Sequence, residues 1–283
     1  MMPLPLLLLC FFLLSSVSTS FSGFSPRPFT NYPATFSSSE VKRIVQTFKR
    51  LPEVSDDRPS QGVVRFNYYT EAANEEMSWF LERIREKMGK DFDAEDVEFY
   101  LMHKFTPGGF FDYHVDTHPS GDSRQRTYNI NVLLSEESEF EGGGLAVGNE
   151  DSGIKVGDCY SYPAAFPHCV TGITKGERFT LVLAVREARK EEEWVEWWNG
   201  VELEFKRIVE KGGKTVPAKI YWLFGEMLDR VSGREKDAER MFCESYARTE
   251  QSGEYVKVFR ERGEEGTARG IEEALERLAN QSN

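Results

Sequence analysis

The sequence predicts a mainly β core with helices on either side of it and a helical extension at the C-terminus. Two observations carry this. Between Asp96 and Arg186, apolar residues recur at every second position in short runs separated by Gly or Ser/Glu turns, with no helical stretch between them. That is the pattern of a sandwich or barrel. On both sides of the stretch the apolar period returns to 3.6, the signature of amphipathic helices. At 283 residues the chain can bury one substantial core with a small helical appendage.

Composition fits this and excludes some partners. Hydrophobic and charged fractions of 40% and 29% are those of a soluble globular protein. A formal charge of -12, with no basic cluster to offset it, argues against nucleic acid as a partner. Leu4 to Leu14 is apolar apart from its prolines, and Ser15 to Ser20 is small and polar. Residues 1–20 therefore read as a secretory signal peptide, too short for a span of roughly 20 apolar residues, so no transmembrane segment is expected in the mature chain. Residues 21–38 are Ser-rich and lack acidic residues, a low-complexity linker or, as an alternative address, the plastid-directed half of a bipartite presequence. Beyond Cys10, the cysteines Cys159, Cys169 and Cys243 are odd in number and give no disulfide framework.

Residues 39–94 read as helical support. A helix opens at Ser38-Ser39-Glu40 with Val41, Ile44, Val45 and Phe48 on one face; a strand follows over 63–69 and a second helix over 71–90. From Asp96 the strand signals are a long run ending at Pro107-Gly108-Gly109, then 110–116, 126–134, 144–147, 153–156, 158–163, 168–173 and 178–186. Past Arg186 helices are expected over 191–209, 217–231, 234–246 and 270–278. The Trp194, Trp197 and Trp198 stripe reads as packing against the sheet. Phe224-Gly225, Ala238 and Phe242 distantly suggest one tetratricopeptide-like unit.

The chemistry concentrates in His114-Val115-Asp116, His168 and Arg178. A His-x-Asp step on a strand would put both side chains on one face, with His168 arriving from another strand. Two histidines and a carboxylate make the facial triad of non-haem Fe(II) oxygenases, with open positions left over. A three-ligand site also suits zinc. Arg178 discriminates, because a zinc hydrolase has no need of a two-pronged anion clamp ten residues past its last ligand. One cosubstrate would use both ends, 2-oxoglutarate. Thr180 shares the face of Arg178 and could add a hydroxyl hydrogen bond. His103 and His118 read as structural or solvent-facing, with a substrate contact open for His118.

The segment Pro107-Gly108-Gly109-Phe110-Phe111-Asp112-Tyr113-His114-Val115-Asp116 resembles the metal loop of prolyl 4-hydroxylase-type 2-oxoglutarate/Fe(II) dioxygenases. The resemblance continues through 127–134, Phe140-Glu141-Gly142-Gly143-Gly144, 157–163 and 168–180, where the glycine triplet and Thr174-Lys175-Gly176-Glu177-Arg178 are similar to the lysyl hydroxylase branch as well. It covers about a third of the chain. It implies a double-stranded β-helix (jelly roll) with the metal in its mouth, Fe(II) on His114, Asp116 and His168, 2-oxoglutarate as cosubstrate on Arg178, and ascorbate as a further requirement. The prolyl branch places a 2-oxoglutarate-binding tyrosine where Phe105 stands here; Tyr128, Tyr100 or Tyr113 would have to replace it, and Tyr128 joins Arg178 and Thr180 in the expected cosubstrate site. The expected layout is therefore a dioxygenase domain at 95–186 and a C-terminal helical region at 187–283. The expected activity is hydroxylation of a prolyl or lysyl residue in a protein or peptide, with release of succinate and CO2. The alternative is a metal-binding jelly-roll module without turnover that acts through its C-terminal helices.

Overall fold

The computed structural model describes residues 29–51, 53–56, 64–68, 71–89, 92–119, 126–187, 190–212, 215–231 and 233–280. The signal peptide expected at 1–20 lies outside them, and no helix among them is long and apolar enough to cross a membrane.

Thirteen strands are found among the described residues: β1 (Thr30–Tyr32), β2 (Glu53–Asp56), β3 (Val64–Tyr68), β4 (Val97–Phe105), β5 (Phe111–His114), β6 (Tyr128–Leu133), β7 (Phe140–Gly142), β8 (Leu145–Val147), β9 (Glu150–Asp151), β10 (Cys159–Pro163), β11 (His168–Val170), β12 (Ile173–Gly176) and β13 (Arg178–Val185). They build a seven-stranded sheet in the order β1-β10-β6-β13-β4-β3-β2, a four-stranded sheet β5-β11-β8-β9, and a β12-β7 pair. Every pairing between these strands is antiparallel. This is the expected jelly-roll core with flanking helices.

Strand parity sorts the larger sheet into two chemically different faces. Tyr100, Met102, Ile130, Val132, Cys159, Leu181 and Leu183 pack outward with Phe80, Ile84 and Met88 of α2 (Glu71–Met88) and Val41, Ile44 and Phe48 of α1 (Ser38–Phe48). The inward face carries Asn129, Asn131, Arg178 and Thr180, all buried. A polar face on one side of an apolar sheet marks where the site lies. Helix α1 starts on a capping box, with Ser37 and Glu40 each satisfying the other's backbone N–H. Arg83 of α2 then reaches Glu40 at 2.9 Å and ties the two helices together.

After β13 the chain forms α3 (Glu191–Gly212), α4 (Ala218–Asp229), α5 (Glu235–Ala247), α6 (Ser252–Glu261) and α7 (Glu265–Asn280). The tryptophan stripe does pack inward: Trp194, Trp197, Val201 and Phe205 share one core with Leu145, Val147, Tyr160, Tyr162 and Phe166, which α4 and α5 extend through Phe224, Met227 and Met241. Gly225 lets the two helices of that pair close up, since a Cβ there would sit 2.6 Å from the Phe242 ring.

The structure departs from the sequence reading in several places. The strand expected at 153–156 does not form; the stretch makes one bridge, Val156 with Leu133, between Gly153 and Gly157 at φ of +59° and +78°. The segment 21–38, set aside as linker, supplies β1 and the start of α1. Asp158 anchors β1, accepting from Ala34 N at 2.8 Å and Asn31 Nδ2 at 3.2 Å. Strands β2, β7 and β9 and helix α6 were not anticipated, and α7 runs longer than the expected 270–278. Cys159, Cys169 and Cys243 are free and buried.

Candidate metal and cosubstrate site

His114 closes β5 and stands directly opposite His168, the first residue of β11. Asp116 lies past the end of β5, in a bend, so strand alternation does not place it. Its backbone N–H donates to Ala164 O at 2.8 Å, and this fixes the carboxylate beside the two rings. One ligand atom from each of the three lies within 4.8 Å of the others. His114 Nε2 is 3.8 Å from Asp116 Oδ1, and His168 Nε2 is 3.4 Å from Asp116 Oδ2.

The neighbours tune these groups for a cation. Each imidazole Nδ1 faces a backbone carbonyl, His114 that of Asp112 at 2.8 Å and His168 that of Phe166 at 2.9 Å. A carbonyl only accepts, so Nδ1 carries the proton and Nε2 turns its lone pair to the cluster. Desolvation by the surrounding walls, then the nearby His168, lower His114 to about 4, which keeps it neutral near pH 7. For Asp116, burial works to raise the carboxyl, but His168, His114 and a 2.6 Å hydrogen bond from Asn129 Nδ2 outweigh it and hold it ionised. Two imidazole Nε2 atoms and one carboxylate, open on the mouth side where His114 is 38% exposed, suit a divalent cation.

Arg178 begins β13 on the inner face and is 2% exposed. Phe105 and Phe140 lie 5.5 and 5.9 Å from its guanidinium, and Nη1 donates to the Thr180 hydroxyl. No carboxylate pairs with it among the described residues. Burial pulls it down to about 10. A buried, unpaired cation calls for an anion from outside the chain. The glycine triplet makes room for it, because a Cβ on Gly143 would fall 2.2 Å from Ile173 Cδ1 and 2.9 Å from Arg178 Cδ. His114, Asp116 and His168 are thus brought together, and Arg178 and Thr180 lie buried side by side on the inner face of the larger sheet; the first group suits a metal and the second a carboxylate.

Tyr128 is not part of it. It has the parity of Ile130 and Val132 and packs on the outer core. Tyr100 also faces outward, edge-on to Phe80 and Phe48, and Tyr113 packs in the core beneath the C-terminal helices. Phe105 does occupy the inner face, fully buried. Tyr162 of β10, not singled out from the sequence, places its ring 4.9 Å from that of His168. The signal for it was the alternation of Asn129 and Asn131 with Ile130 and Val132, which identifies the site face. His118 is half-buried, near Glu226 and Arg230 at the end of α4.

Residues 100–186 match the model of the 2OG-Fe(II) oxygenase superfamily. The chain is similar to a PKHD-type hydroxylase of Synechococcus sp. (strain CC9605), 31% identical over 91 residues, which are 30% of this chain and 40% of that protein. A PKHD-type hydroxylase of Pseudomonas fluorescens (strain Pf0-1) is 32% identical over 88 residues, 28% of this chain and 39% of that one. The matched stretch thus spans about two fifths of the length of these relatives. Among solved structures, the viral collagen prolyl hydroxylase of Paramecium Bursaria Chlorella virus-1, in its 2OG complex, superposes with a TM-score of 0.46 at 15% identity, covering 58% of this chain and 99% of that one.

Proposed function

We propose that the protein is an Fe(II)- and 2-oxoglutarate-dependent dioxygenase that hydroxylates a prolyl or lysyl residue of a protein or peptide, releasing succinate and CO2. The observation that carries this reading is the pairing of an open His-Asp-His cluster with a buried arginine that has no acidic partner among the described residues. A zinc hydrolase would use the first and leave the second unexplained. The relatives from Synechococcus and Pseudomonas fluorescens are themselves named PKHD-type hydroxylases.

In this reading His114 and His168 hold the metal through Nε2, and Asp116 offsets part of its charge. Iron supplies the oxidising chemistry when bound. Arg178, steadied by Thr180, grips the far carboxylate of 2-oxoglutarate and so fixes its keto-acid end against the metal. Phe105, Phe111 and Ile173 form an apolar cluster behind the clamp, which excludes water and strengthens that ion pair. Ascorbate is proposed as the reductant that keeps the iron ferrous. Residues 1–20 are proposed as a secretory signal, directing the chain to the endoplasmic reticulum lumen or outside the cell, with a plastid as the alternative.

Purified protein with Fe(II), ascorbate and 2-oxoglutarate should form succinate slowly without a substrate and lose this in His168→Ala. Metal and 2-oxoglutarate binding without succinate would instead favour the binding-module reading. Peptide libraries scored by mass spectrometry for a one-oxygen gain identify the substrate.

A further inference from the structure

The C-terminal helices carry a run of aromatic rings that the metal and cosubstrate site does not use. Trp222 of α4 lies 4.9 Å from Phe242 and 5.9 Å from Tyr246 of α5, and Tyr246 lies 4.7 Å from Tyr255 and 5.3 Å from Phe259 of α6. The stripe thus crosses three helices. Gly225 makes the crossing possible, since the Phe242 ring rests where a side chain on α4 would stand. All five rings are half-buried, so each packs on one part and leaves another open to solvent.

Their polar tips are unused. The indole N–H of Trp222 and the hydroxyls of Tyr246 and Tyr255 make no hydrogen bond to another group among the described residues, and burial does not enclose them. Tyr221, one position before Trp222 but facing inward, has both partners: it donates to Val209 O at 3.4 Å and accepts from Arg248 Nη2 at 2.8 Å. An indole N–H can only donate. Ring faces with spare donors fit a partner that offers compact apolar rings and spare acceptors. Proline supplies both, because it has no backbone N–H, and in the polyproline II conformation its carbonyls bond nothing within their own chain. Grooves lined by aromatic rings recognise such segments.

The stripe also leads to the mouth of the site. On α4, Trp222 and Glu226 are one turn apart, about 6 Å along the axis, and both lie off the buried face formed by Ile220, Leu223, Phe224 and Met227. Glu226 in turn stands near His118, two residues past Asp116, and Val115 packs into the same core as α4. A chain held on the stripe has its continuation at the metal loop.

We infer that the aromatic stripe across α4, α5 and α6 is a docking surface for a proline-rich segment of the substrate polypeptide, held apart from the residue that is hydroxylated. The inference rests on the proposed function, which makes a polypeptide the substrate. Proline rings of the segment stack on Trp222 and Tyr246, and its carbonyls accept from the free N–H and O–H tips.

The test titrates the full chain into a fluorescein-labelled peptide of ten prolines, read by anisotropy, with an unlabelled Gly/Ser peptide of equal length as competitor. Trp222→Phe keeps a ring and removes its donor, and it should weaken decaproline about 2- to 10-fold, the range for one hydrogen bond between neutral groups. Adding Tyr246→Phe and Tyr255→Phe should bring the loss to at least about 10-fold. Melting curves of these variants should overlay that of wild type, since no hydrogen bond within the chain is lost. The Gly/Ser peptide should not compete. Equal decaproline affinity in wild type and the triple variant, or displacement by the Gly/Ser peptide, overturns the inference. A wild type that forms succinate from 2-oxoglutarate and takes no decaproline overturns it too, and leaves the proposed function standing. Decaproline docked on the stripe with no succinate formed overturns the proposed function, and with it the segment's role as substrate.

Discussion

Replacing Arg178 with methionine should make the ligand-free protein more stable while abolishing its use of 2-oxoglutarate. Methionine fills a similar elongated space and tolerates irregular surroundings. Burial lowers the guanidinium from its ordinary 12.5 to about 10. At about 1.4 kcal/mol per tenfold change in proton affinity, holding that charge inside the folded chain costs about 3 kcal/mol. The sign is clear: the folded-state value is the depressed one, so below pH 10 the charged form is worse off folded than unfolded. Contacts with Phe105, Phe140 and the Thr180 hydroxyl offset part of this. A net gain of about 1–2 kcal/mol remains, a rise in Tm of roughly 2–8 °C at about 2–4 °C per kcal/mol. Excess 2-oxoglutarate with Mn(II) should reverse the order, since a ligand at 100 times its Kd adds about 2.7 kcal/mol to the protein that binds it. The assay is scanning calorimetry of both proteins with and without ligand. A methionine variant that melts lower than wild type without ligand, or that gains as much from 2-oxoglutarate, would refute the reasoning.

Other outcomes follow from the same geometry. His114→Ala should keep the native near-ultraviolet dichroism, because the ring stands at the open mouth. Its Mn(II) affinity should fall by more than the 10- to 100-fold that is usual for losing a ligand's supporting partner; turnover retained in this variant would remove the triad. Asn129→Ala deletes the 2.6 Å bond to Asp116 and should weaken Mn(II) about 10- to 100-fold, measured by titration, with 2-oxoglutarate following only through the metal. Gly143→Ala forces a Cβ into Ile173 and Arg178 from a φ of +70°. It should destabilise by at least about 1–2 kcal/mol and raise the KM for 2-oxoglutarate, and an unchanged KM would mean the glycine does not shape the clamp. A reporter fused to residues 1–40 should enter the secretory route; a plastid location would select the bipartite presequence, and a cytosolic one would exclude both.

Much of the site could be read in the sequence because its chemistry is local. His114, His168 and Arg178 each sit at the edge of a period-two run, where parity says which way they face. Asp116 does lie beside the two histidines, but not through strand alternation: the strand ends before it, and Ala164, 48 residues on, holds it. That contact has no sequence signature. Tyr128 was offered for the cosubstrate because aromatic identity was weighed and parity, which puts it with Ile130 and Val132 on the outer core, was not. Ile154 and Val156 alternate like a strand, but the glycines around them turn the chain out of any ladder. Helix α6 escaped notice because Val256 is its one buried residue, too little apolar face to show a period. Strand β1 escaped because three residues in a Ser- and Pro-rich stretch carry no period at all.

That short strand sets a boundary for proteolytic maturation. Thr30, Asn31 and Tyr32 cover the outer edge of β10, and Phe29 stacks on Tyr160 at 5.7 Å. A leader peptidase that cut before Phe29 would leave β1 paired with β10. One that cut after Pro33 would strip the cover from the strand carrying Tyr162 and leave Asp158 without Asn31. It would also bare a row of unpaired backbone groups, the kind of edge that recruits a second chain. If residues 1–20 are removed as the proposed signal, the new N-terminus would be limited by the sheet as much as by the protease, and a form clipped after Pro33 should be recognised by its tendency to self-associate.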